Sequence, residues 1–282
     1  MERKYTLADV NILVKTDFDF RDVDRYVPFI SDFEKPDLTY EFITVTEPPE
    51  LPDEPLFYDG MVCIYRRDGI TYRSYSYSKS VTTMILSDER ISEGILTVYV
   101  KGSSIASITT ETRIFDHLAI EHAMALFNST LLHSSFISYE GKAILFTAPS
   151  QTGKSTQAEL WRKHRGADVI NGDRSLIKLK DDELYAYSLP YCGTSNICAN
   201  YSAPIRAIVV LRQAPYNRIS LLRPATAFRD LYEGCATNIW YSNDVTVVCD
   251  LVEQMIKRVP IYLLECLPNE DAVNTLASEL NL

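Results

Sequence analysis

The chain has 282 residues, of which 46% are hydrophobic and 23% are charged, a composition that excludes a chain disordered along its whole length. The net charge is −10 and the sequence has no basic block, so a nucleic acid is not expected as the main partner. The start of the chain lacks the apolar run of a signal peptide, and no apolar run has the length of a membrane span. The six cysteines show no Cys-x-x-Cys pair. We therefore expect a cytoplasmic protein with no membrane partner.

In chain order, the first hundred residues show the alternation of apolar and polar side chains that is typical of β-strands. Strands are predicted at residues 40–46, 61–65, 70–77, 81–86 and 95–100. Asp68 and Gly69 predict a hairpin turn between the second and third of these strands. Residues 1–108 are therefore predicted to form a β-rich N-terminal domain. Its role is open between recognition and dimerisation, and the sequence does not decide whether the chain forms a homo-oligomer.

The pattern changes after residue 108, where strands begin to alternate with helices. Residues 112–128 are predicted to form a largely buried helix, in which His117 and His122 are structural. Further strands are predicted at 131–139, 142–147, 169–170, 176–180, 184–187, 205–211 and 261–266, and further helices at 155–165, 225–232, 245–257 and 269–280. Gly166 is well placed to end the helix 155–165. This alternation predicts an α/β domain over residues 109–282.

The most informative segment is residues 148–156, Ala-Pro-Ser-Gln-Thr-Gly-Lys-Ser-Thr, between a predicted strand and a predicted helix. It has the Walker A form [AG]-x-x-x-x-G-K-[ST], in which backbone N–H groups and a helix N-terminus bind phosphates. Lys154 is expected to place its charge on the β- and γ-phosphates, and Ser155 to offer its hydroxyl to Mg²⁺. The predicted nucleotide-binding residues are Ser150, Gln151, Thr152, Gly153, Lys154, Ser155 and Thr156.

Two segments near this loop resemble a known family. A strand with His133 precedes the loop, and a short strand after it ends in Gly172-Asp173-Arg174. Together with the Walker A loop, they resemble the kinase domain of HPr kinase/phosphorylase over about residues 112–282. That family shares its nucleotide-binding fold with ATP-dependent phosphoenolpyruvate carboxykinase. The resemblance implies a P-loop kinase fold, with ATP and Mg²⁺ as cofactors.

The resemblance also implies roles for single residues. His133 maps beside the transferred phosphoryl group, and Asp173 maps to the base that accepts the proton of a substrate hydroxyl. The predicted catalytic residues are therefore Asp173, His133 and Lys154, and the predicted metal ligands are Ser155 and Asp173. Gly172 stands where the family has a further acid, and Thr156 where it has an acid after Gly-Lys-Ser. HPr itself is not the expected substrate, because the family's downstream glycine-rich signature has no convincing copy here.

Other polar residues are open to two interpretations. Arg174, Arg206 and Arg212 lie near predicted strand ends, where they could neutralise phosphate charge or form surface ion pairs. Residues 191–196 could line an acceptor pocket or form a plain turn. Asp181 and Asp182 are predicted to lie in a solvated hairpin turn.

Three functions are compatible with these residues. The first is an ATP-dependent kinase that transfers the γ-phosphoryl group to a hydroxyl, either a serine of a peptide or protein or a small molecule. The second is a non-catalytic nucleotide-binding or scaffold protein, which the glycine at position 172 motivates. The third is a simple NTPase or a phosphorylase-type reversal. The sequence does not identify the acceptor or decide between ATP and GTP.

Overall fold

A computed structural model describes residues 1–78, 81–193 and 196–282 of the chain. The chain divides into two compact units, Met1–Ile120 and Glu121–Leu282. Each unit contains its own β-sheet. Within the described residues, no helix has both the length and the apolar character that a membrane crossing requires.

The first unit is built on a sheet that comprises, among its described residues, eight strands in the order β1-β2-β3-β8-β7-β6-β5-β4. These are β1 (Glu2–Leu7), β2 (Val10–Thr16), β3 (Leu38–Val45), β4 (Phe57–Tyr58), β5 (Val62–Arg67), β6 (Ile70–Ser78), β7 (Val81–Ser87) and β8 (Ile95–Lys101). The five predicted strands are confirmed, and so is the β5–β6 hairpin, in which Asp68 and Gly69 have φ angles of 54° and 83°. The strands β1, β2 and β4 were not predicted from the sequence.

The predicted helix over residues 112–128 is wrong. The segment forms two short helices, α1 (Glu111–Phe115) and α2 (Ile120–Ala125), and Ala119 between them has a left-handed φ of 46°. The Tyr40 hydroxyl donates to the Leu118 carbonyl at 2.6 Å. A continuous helix would need that carbonyl for its own backbone hydrogen bond. The left-handed Ala119 interrupts the helix, and the Tyr40 hydroxyl gives the Leu118 carbonyl a partner from outside the segment.

The end of the first unit lies later in the chain than the predicted boundary at residue 108. Glu111 is fully buried and accepts hydrogen bonds from the Tyr5 hydroxyl and from the Val23 amide. Burial raises the pKa of this carboxyl group. These contacts tie the start of α1 to β1 and to Val23, which is why residues after 108 belong to the first unit.

The second unit is a mixed α/β structure. Its strands are β9 (Ser129–Tyr139), β10 (Lys142–Thr147), β11 (Asp168–Asn171), β12 (Arg174–Lys180), β13 (Glu183–Ser188), β14 (Ser202–Gln213), β15 (Arg218–Leu221) and β16 (Ile261–Cys266). Its helices after α2 are α3 (Lys154–Arg165), α4 (Pro224–Gly234), α5 (Ser242–Arg258) and α6 (Glu270–Glu279). Every strand and helix predicted after residue 128 is confirmed, with ends that differ by a few residues, whereas β15 was not predicted.

The long strand β9 connects two parts of the second sheet. Its first residues pair with β12, so that His133 lies opposite Arg174, and its later residues pair with β10, so that Ser134 lies opposite Thr147. The strands β10, β14 and β16 run parallel to one another. Their carboxyl ends therefore meet at one edge of the sheet, the edge at which α/β proteins bind ligands.

Two buried clusters hold this sheet between helices. One cluster joins the sheet to α4 and α5 through residues such as Leu145, Val210, Leu231 and Val252. The other joins the opposite face to α3 and α6, and it contains Trp161, which is fully buried. Alternate residues of β10 and β14 enter opposite clusters because successive side chains of a strand point to opposite faces.

Candidate phosphate-binding and catalytic site

The loop between β10 and α3 has the strand–loop–helix context that the Walker A motif predicts. Gly153 precedes the first helical residue and has a φ of 117°, a conformation that favours glycine. Gln151 also has a positive φ, of 64°. A Cβ atom at Gly153 would meet nothing within 4 Å, so the backbone conformation and not a lack of space calls for glycine there.

Lys154 lies beneath this loop. Its side chain is buried, and Nζ donates to the Ala148 carbonyl at 3.0 Å and to the Pro149 carbonyl at 3.5 Å. Burial lowers the pKa of the ammonium group, whereas the negative charge of Asp173 acts in the opposite direction. The lysine charge is therefore held between the start of the loop and the carboxylate.

Two contacts attach the loop to neighbouring strands. Ser155 Oγ lies 3.5 Å from the carbonyl oxygen of Gly172, at the end of β11. From β14, Gln213 Nε2 lies 3.5 Å from the Gln151 carbonyl and 3.4 Å from the Thr152 carbonyl. Sequence reasoning missed Gln213, because nothing in the local pattern indicates that the end of β14 reaches this loop.

Asp173 and His133 face each other across the β9–β12 pairing. His133 Nε2 lies 3.3 Å from Asp173 Oδ1, and Arg174 Nε lies 3.5 Å from Asp173 Oδ2. The hydrogen bond from His133 is the main cause that lowers the pKa of Asp173, and the charges of His133, Arg174 and Lys154 act in the same direction. Asp173 is therefore a charged carboxylate at neutral pH, as a proton acceptor or a Mg²⁺ ligand requires.

The turn that carries Asp173 is fixed by a residue that sequence reasoning missed. Asn171 is fully buried, and its Oδ1 accepts from the Asp173 amide at 2.9 Å and from the Arg174 amide at 3.1 Å. Its Nδ2 donates to Ser188 Oγ at 3.0 Å and to the Leu189 carbonyl at 2.9 Å. The Asn-Gly dipeptide before Asp173 is a turn signal that could have indicated this role.

A cavity of about 300 Å³ brings the predicted residues together. Its lining comprises His133, Ser150, Gln151, Gly153, Lys154, Ser155, Thr156, Gly172 and Asp173. All the residues predicted for catalysis and metal binding are in this set, and so are all those predicted for nucleotide binding except Thr152. Thr152 instead lines two neighbouring cavities, of about 700 and 590 Å³.

The neighbouring cavity of about 700 Å³ shares His133 and Gln151 with the phosphate-loop cavity. It lies at the carboxyl ends of β10 and β14, and the last turn of α4 contributes Asp230 and Glu233. Its volume is sufficient for a small molecule or for part of a peptide.

The predicted arginines have different surroundings. Arg174 lies beside Asp173, as described above. Arg206 pairs with Glu140 at 3.2 Å, the surface ion pair that the sequence left open. Arg212 lines the cavity of about 700 Å³, and its Nη1 lies 4.0 Å from Glu265 Oε1.

Of the remaining candidates from the sequence that the structure describes, none lines the phosphate-loop cavity, but Gly193 lies close to a residue that does. His117 Nδ1 contacts the Arg113 carbonyl, and the imidazole of His122 lies 3.0 Å from Asp244. Asp181 and Asp182 form the β12–β13 turn with positive φ angles, as predicted. In the segment 191–196, Thr194 and Ser195 lie outside the described residues, but Gly193 lies against Asp173.

The residues at the cavity suit Mg²⁺. Ser155 offers a hydroxyl and Asp173 a charged carboxylate, and both are hard oxygen donors. In the described part of the chain, no group of three or more His, Cys, Asp or Glu residues could hold a metal ion by itself. Such a donor set fits Mg²⁺ that is also bound by phosphate oxygens and water.

Comparison with known proteins does not show a family for this chain. No family model matches the chain, and no curated protein matches it. Among solved structures, the chain is similar to the Hpr(Ser) kinase/phosphatase from Coxiella burnetii, with 12% sequence identity, a TM-score of 0.33, and coverage of 54% of this chain and 95% of that one. An identity and a TM-score this low do not show that the chain belongs to the family of that structure.

Proposed function

We propose that this chain is an ATP- and Mg²⁺-dependent kinase that transfers the γ-phosphoryl group to a hydroxyl of a serine in a peptide or protein, or of a small molecule. One observation carries this proposal. The same cavity of about 300 Å³ is lined by Lys154 and Ser155 of the Walker A loop and by the Asp173–His133 pair. A phosphate-binding loop and a charged base on one cavity are the parts that phosphoryl transfer requires.

The loop and Lys154 bind the phosphates. The loop amides and the N-terminus of α3 attract the negative charge of a triphosphate. Lys154 is already inside the cavity lining, and a phosphate oxygen would take the place of the Ala148 and Pro149 carbonyls as its partner. Ser155 and Asp173 would hold Mg²⁺, which neutralises charge on the phosphate oxygens when it is bound.

Asp173 acts as the base. Its carboxylate accepts the proton of the acceptor hydroxyl as the hydroxyl oxygen bonds to the γ-phosphorus, and the bond from that phosphorus to the β,γ-bridging oxygen breaks to release ADP. His133 orients the carboxylate through the 3.3 Å contact between Nε2 and Oδ1. Because His133, Arg174 and Lys154 lower the pKa of Asp173, the carboxylate stays ionised to a more acidic pH than an ordinary aspartate.

Two variants separate binding from transfer. Lys154→Ala should abolish MgATP binding measured by isothermal titration calorimetry. The matched control is Lys163→Ala, which removes an exposed lysine from the same helix.

Asp173→Asn should bind MgATP but fail to transfer ³²P from [γ-³²P]ATP to a panel of free serine, serine-containing peptides and polyols. Full transfer by Asp173→Asn would remove Asp173 from the base role, and no heat from the unaltered protein at millimolar MgATP would refute the nucleotide site.

A nucleotide-binding protein without a kinase activity is the second candidate. The observation in its favour is Gly172, which leaves Asp173 as the single carboxylate lining the cavity of about 300 Å³. Such a protein would bind MgATP but give no labelled acceptor from the panel. If it also released phosphate from ATP without any acceptor, it would be a simple NTPase.

A further inference from the structure

The carboxylate of Asp173 is enclosed from several directions. His133 and Arg174 approach its two oxygen atoms at 3.3 Å and 3.5 Å. The Asn171 side chain fixes the backbone of the turn below it. A further neighbour is the backbone of Gly193, which belongs to the segment between β13 and β14.

Gly193 leaves no room for a side chain next to this carboxylate. A Cβ atom at position 193 would lie 2.9 Å from Asp173 Cγ and 3.0 Å from both Asp173 Cβ and Oδ1. Cβ atoms in proteins essentially never lie closer than 3.0 Å to such an atom, and contacts at 3.0 Å are already unusually tight. The atoms it would meet are the short side chain of Asp173 itself, so a residue other than glycine would displace the carboxylate or the segment that carries position 193.

The segment around Gly193 is tied to the strand that precedes Asp173. Asn171 donates to Ser188 Oγ and to the Leu189 carbonyl, before Gly193 in the chain. After Gly193, the Gly172 amide donates to the Ile197 carbonyl at 3.3 Å, and the Ala199 amide donates to the Ile170 carbonyl at 3.0 Å. Described residues before and after Gly193 are thus hydrogen-bonded to β11 and to Gly172, and a Cβ atom at position 193 would press on the Asp173 side chain.

We propose that Gly193 is a positioning residue. Because glycine has no side chain, the space next to it is free for the Asp173 carboxylate, which contacts His133 there. This role rests on the proposed kinase function. Gly193 acts through Asp173 and contributes no chemical group of its own. A larger residue at position 193 should therefore lower turnover without weakening MgATP binding, since the atoms nearest to its Cβ belong to Asp173 and not to the phosphate-binding loop.

The test compares Gly193→Ala with Gly141→Ala. Both glycines have a left-handed φ, of 54° and 72°, but a Cβ atom at Gly141 would meet nothing within 4 Å. Both variants therefore place an alanine at a left-handed φ, but only Gly193→Ala brings a Cβ atom against the Asp173 side chain. Turnover is measured as ADP formation in a coupled assay with the panel of free serine, serine-containing peptides and polyols as acceptors, and MgATP binding is measured by calorimetry. We expect Gly193→Ala to lose at least about tenfold in kcat relative to Gly141→Ala, with an unchanged Kd for MgATP.

Two further measurements show whether the effect passes through Asp173. Crystal structures of both variants should show the Asp173 carboxylate moved away from His133 in Gly193→Ala alone. In the Asp173→Ala background, adding Gly193→Ala should cost little more turnover, because residues that act as one unit are not additive. A kcat equal to that of Gly141→Ala, an unmoved carboxylate, or full additivity would overturn the positioning role.

The outcome for the positioning role is separable from that for the kinase. If the unaltered protein forms no ADP, the proposed kinase function fails. The crystal structures of the variants still show whether Gly193 positions the Asp173 carboxylate. A displaced carboxylate in Gly193→Ala would support Gly193 as the residue that positions Asp173. An unmoved carboxylate would refute it whatever the protein's activity.

Discussion

The charge of Asp173 depends on side chains that reach it from three different elements. His133 comes from β9, Lys154 from α3 and Arg174 from β12, and each favours the ionised carboxylate. A carboxyl group whose pKa is lowered by folding stabilises the protein above its unfolded pKa, and this stabilisation is lost as the pH falls through the folded pKa. The groups that keep Asp173 ionised therefore also make the stability of the fold depend on its ionisation.

His133→Ala should shift the acidic limb of the pH profile. The substitution removes the largest cause of the lowered pKa of Asp173, so the pKa rises toward its ordinary value. Since the base must be ionised, kcat/KM should begin to fall at a higher pH than in the unaltered protein. The profile of kcat/KM against pH measures this, with His164→Ala as a control, because His164 lies at the far end of α3 and pairs with Glu270. An acidic limb at the same pH in both variants would show that His133 does not set the ionisation of the base.

Asn171→Ala should destabilise the protein by about 2 kcal/mol, because it leaves buried hydrogen-bonding groups without partners. The amides of Asp173 and Arg174 lose their acceptor, and the Leu189 carbonyl loses a donor. Urea titration gives the free energy of unfolding. Asn274→Ala is the matched control, because Asn274 lies on α6 and its hydrogen bond to Arg165 is exposed. Equal free energies of unfolding for the two variants would show that the buried hydrogen bonds of Asn171 do not stabilise the fold.

At the scale of elements, the sequence could predict most of the second unit because its signals are local. A Walker A motif, a glycine that ends α3 and a two-Asp turn between β12 and β13 are each visible within a few residues. The failed helix over residues 112–128 has a nonlocal cause. The hydroxyls of Tyr40 and Tyr75 bind the carbonyls of Leu118 and His117, and no window around residue 118 contains those tyrosines.

Trp161 fixes α3 on the sheet, and its loss should be costly. The side chain is fully buried and meets the Tyr139 ring edge-on, with ring centroids 5.6 Å apart. Trp161→Ala should lower the free energy of unfolding by about 3–5 kcal/mol, since it leaves a large cavity between helix and sheet. The measurement is chemical denaturation followed by circular dichroism.

Trp161→Phe is the matched variant for this position. It keeps most of the apolar volume and removes an indole N–H that is buried without a hydrogen-bond partner among the described residues. Its cost should therefore be clearly smaller than that of Trp161→Ala. Equal costs for the two variants would mean that the packed volume of this side chain does not hold the helix in place.

At the scale of the molecule, the site is assembled by strand pairing. His133, Lys154 and Asp173 are distant in sequence, and β9 brings them together because it pairs with β12 at one end and with β10 at the other. The residue types could be selected from the sequence, but their distances could not, since the pairing register is set by contacts between distant segments. Gln213 was missed for the same reason, and the contact of Gly193 with Asp173 could not be read from the loop 191–196 alone.

Residues 121–282 should bind MgATP when they are expressed alone. Both core clusters of the second unit and every residue that lines the phosphate-loop cavity lie within this range. The Kd measured by calorimetry should match that of the full chain, and the same fragment with Lys154→Ala should give no heat. If residues 1–120 recognise the acceptor, the fragment will keep its affinity for MgATP while its KM for the acceptor rises. A fragment that unfolds cooperatively in urea but binds no MgATP would show that the nucleotide site needs the first unit.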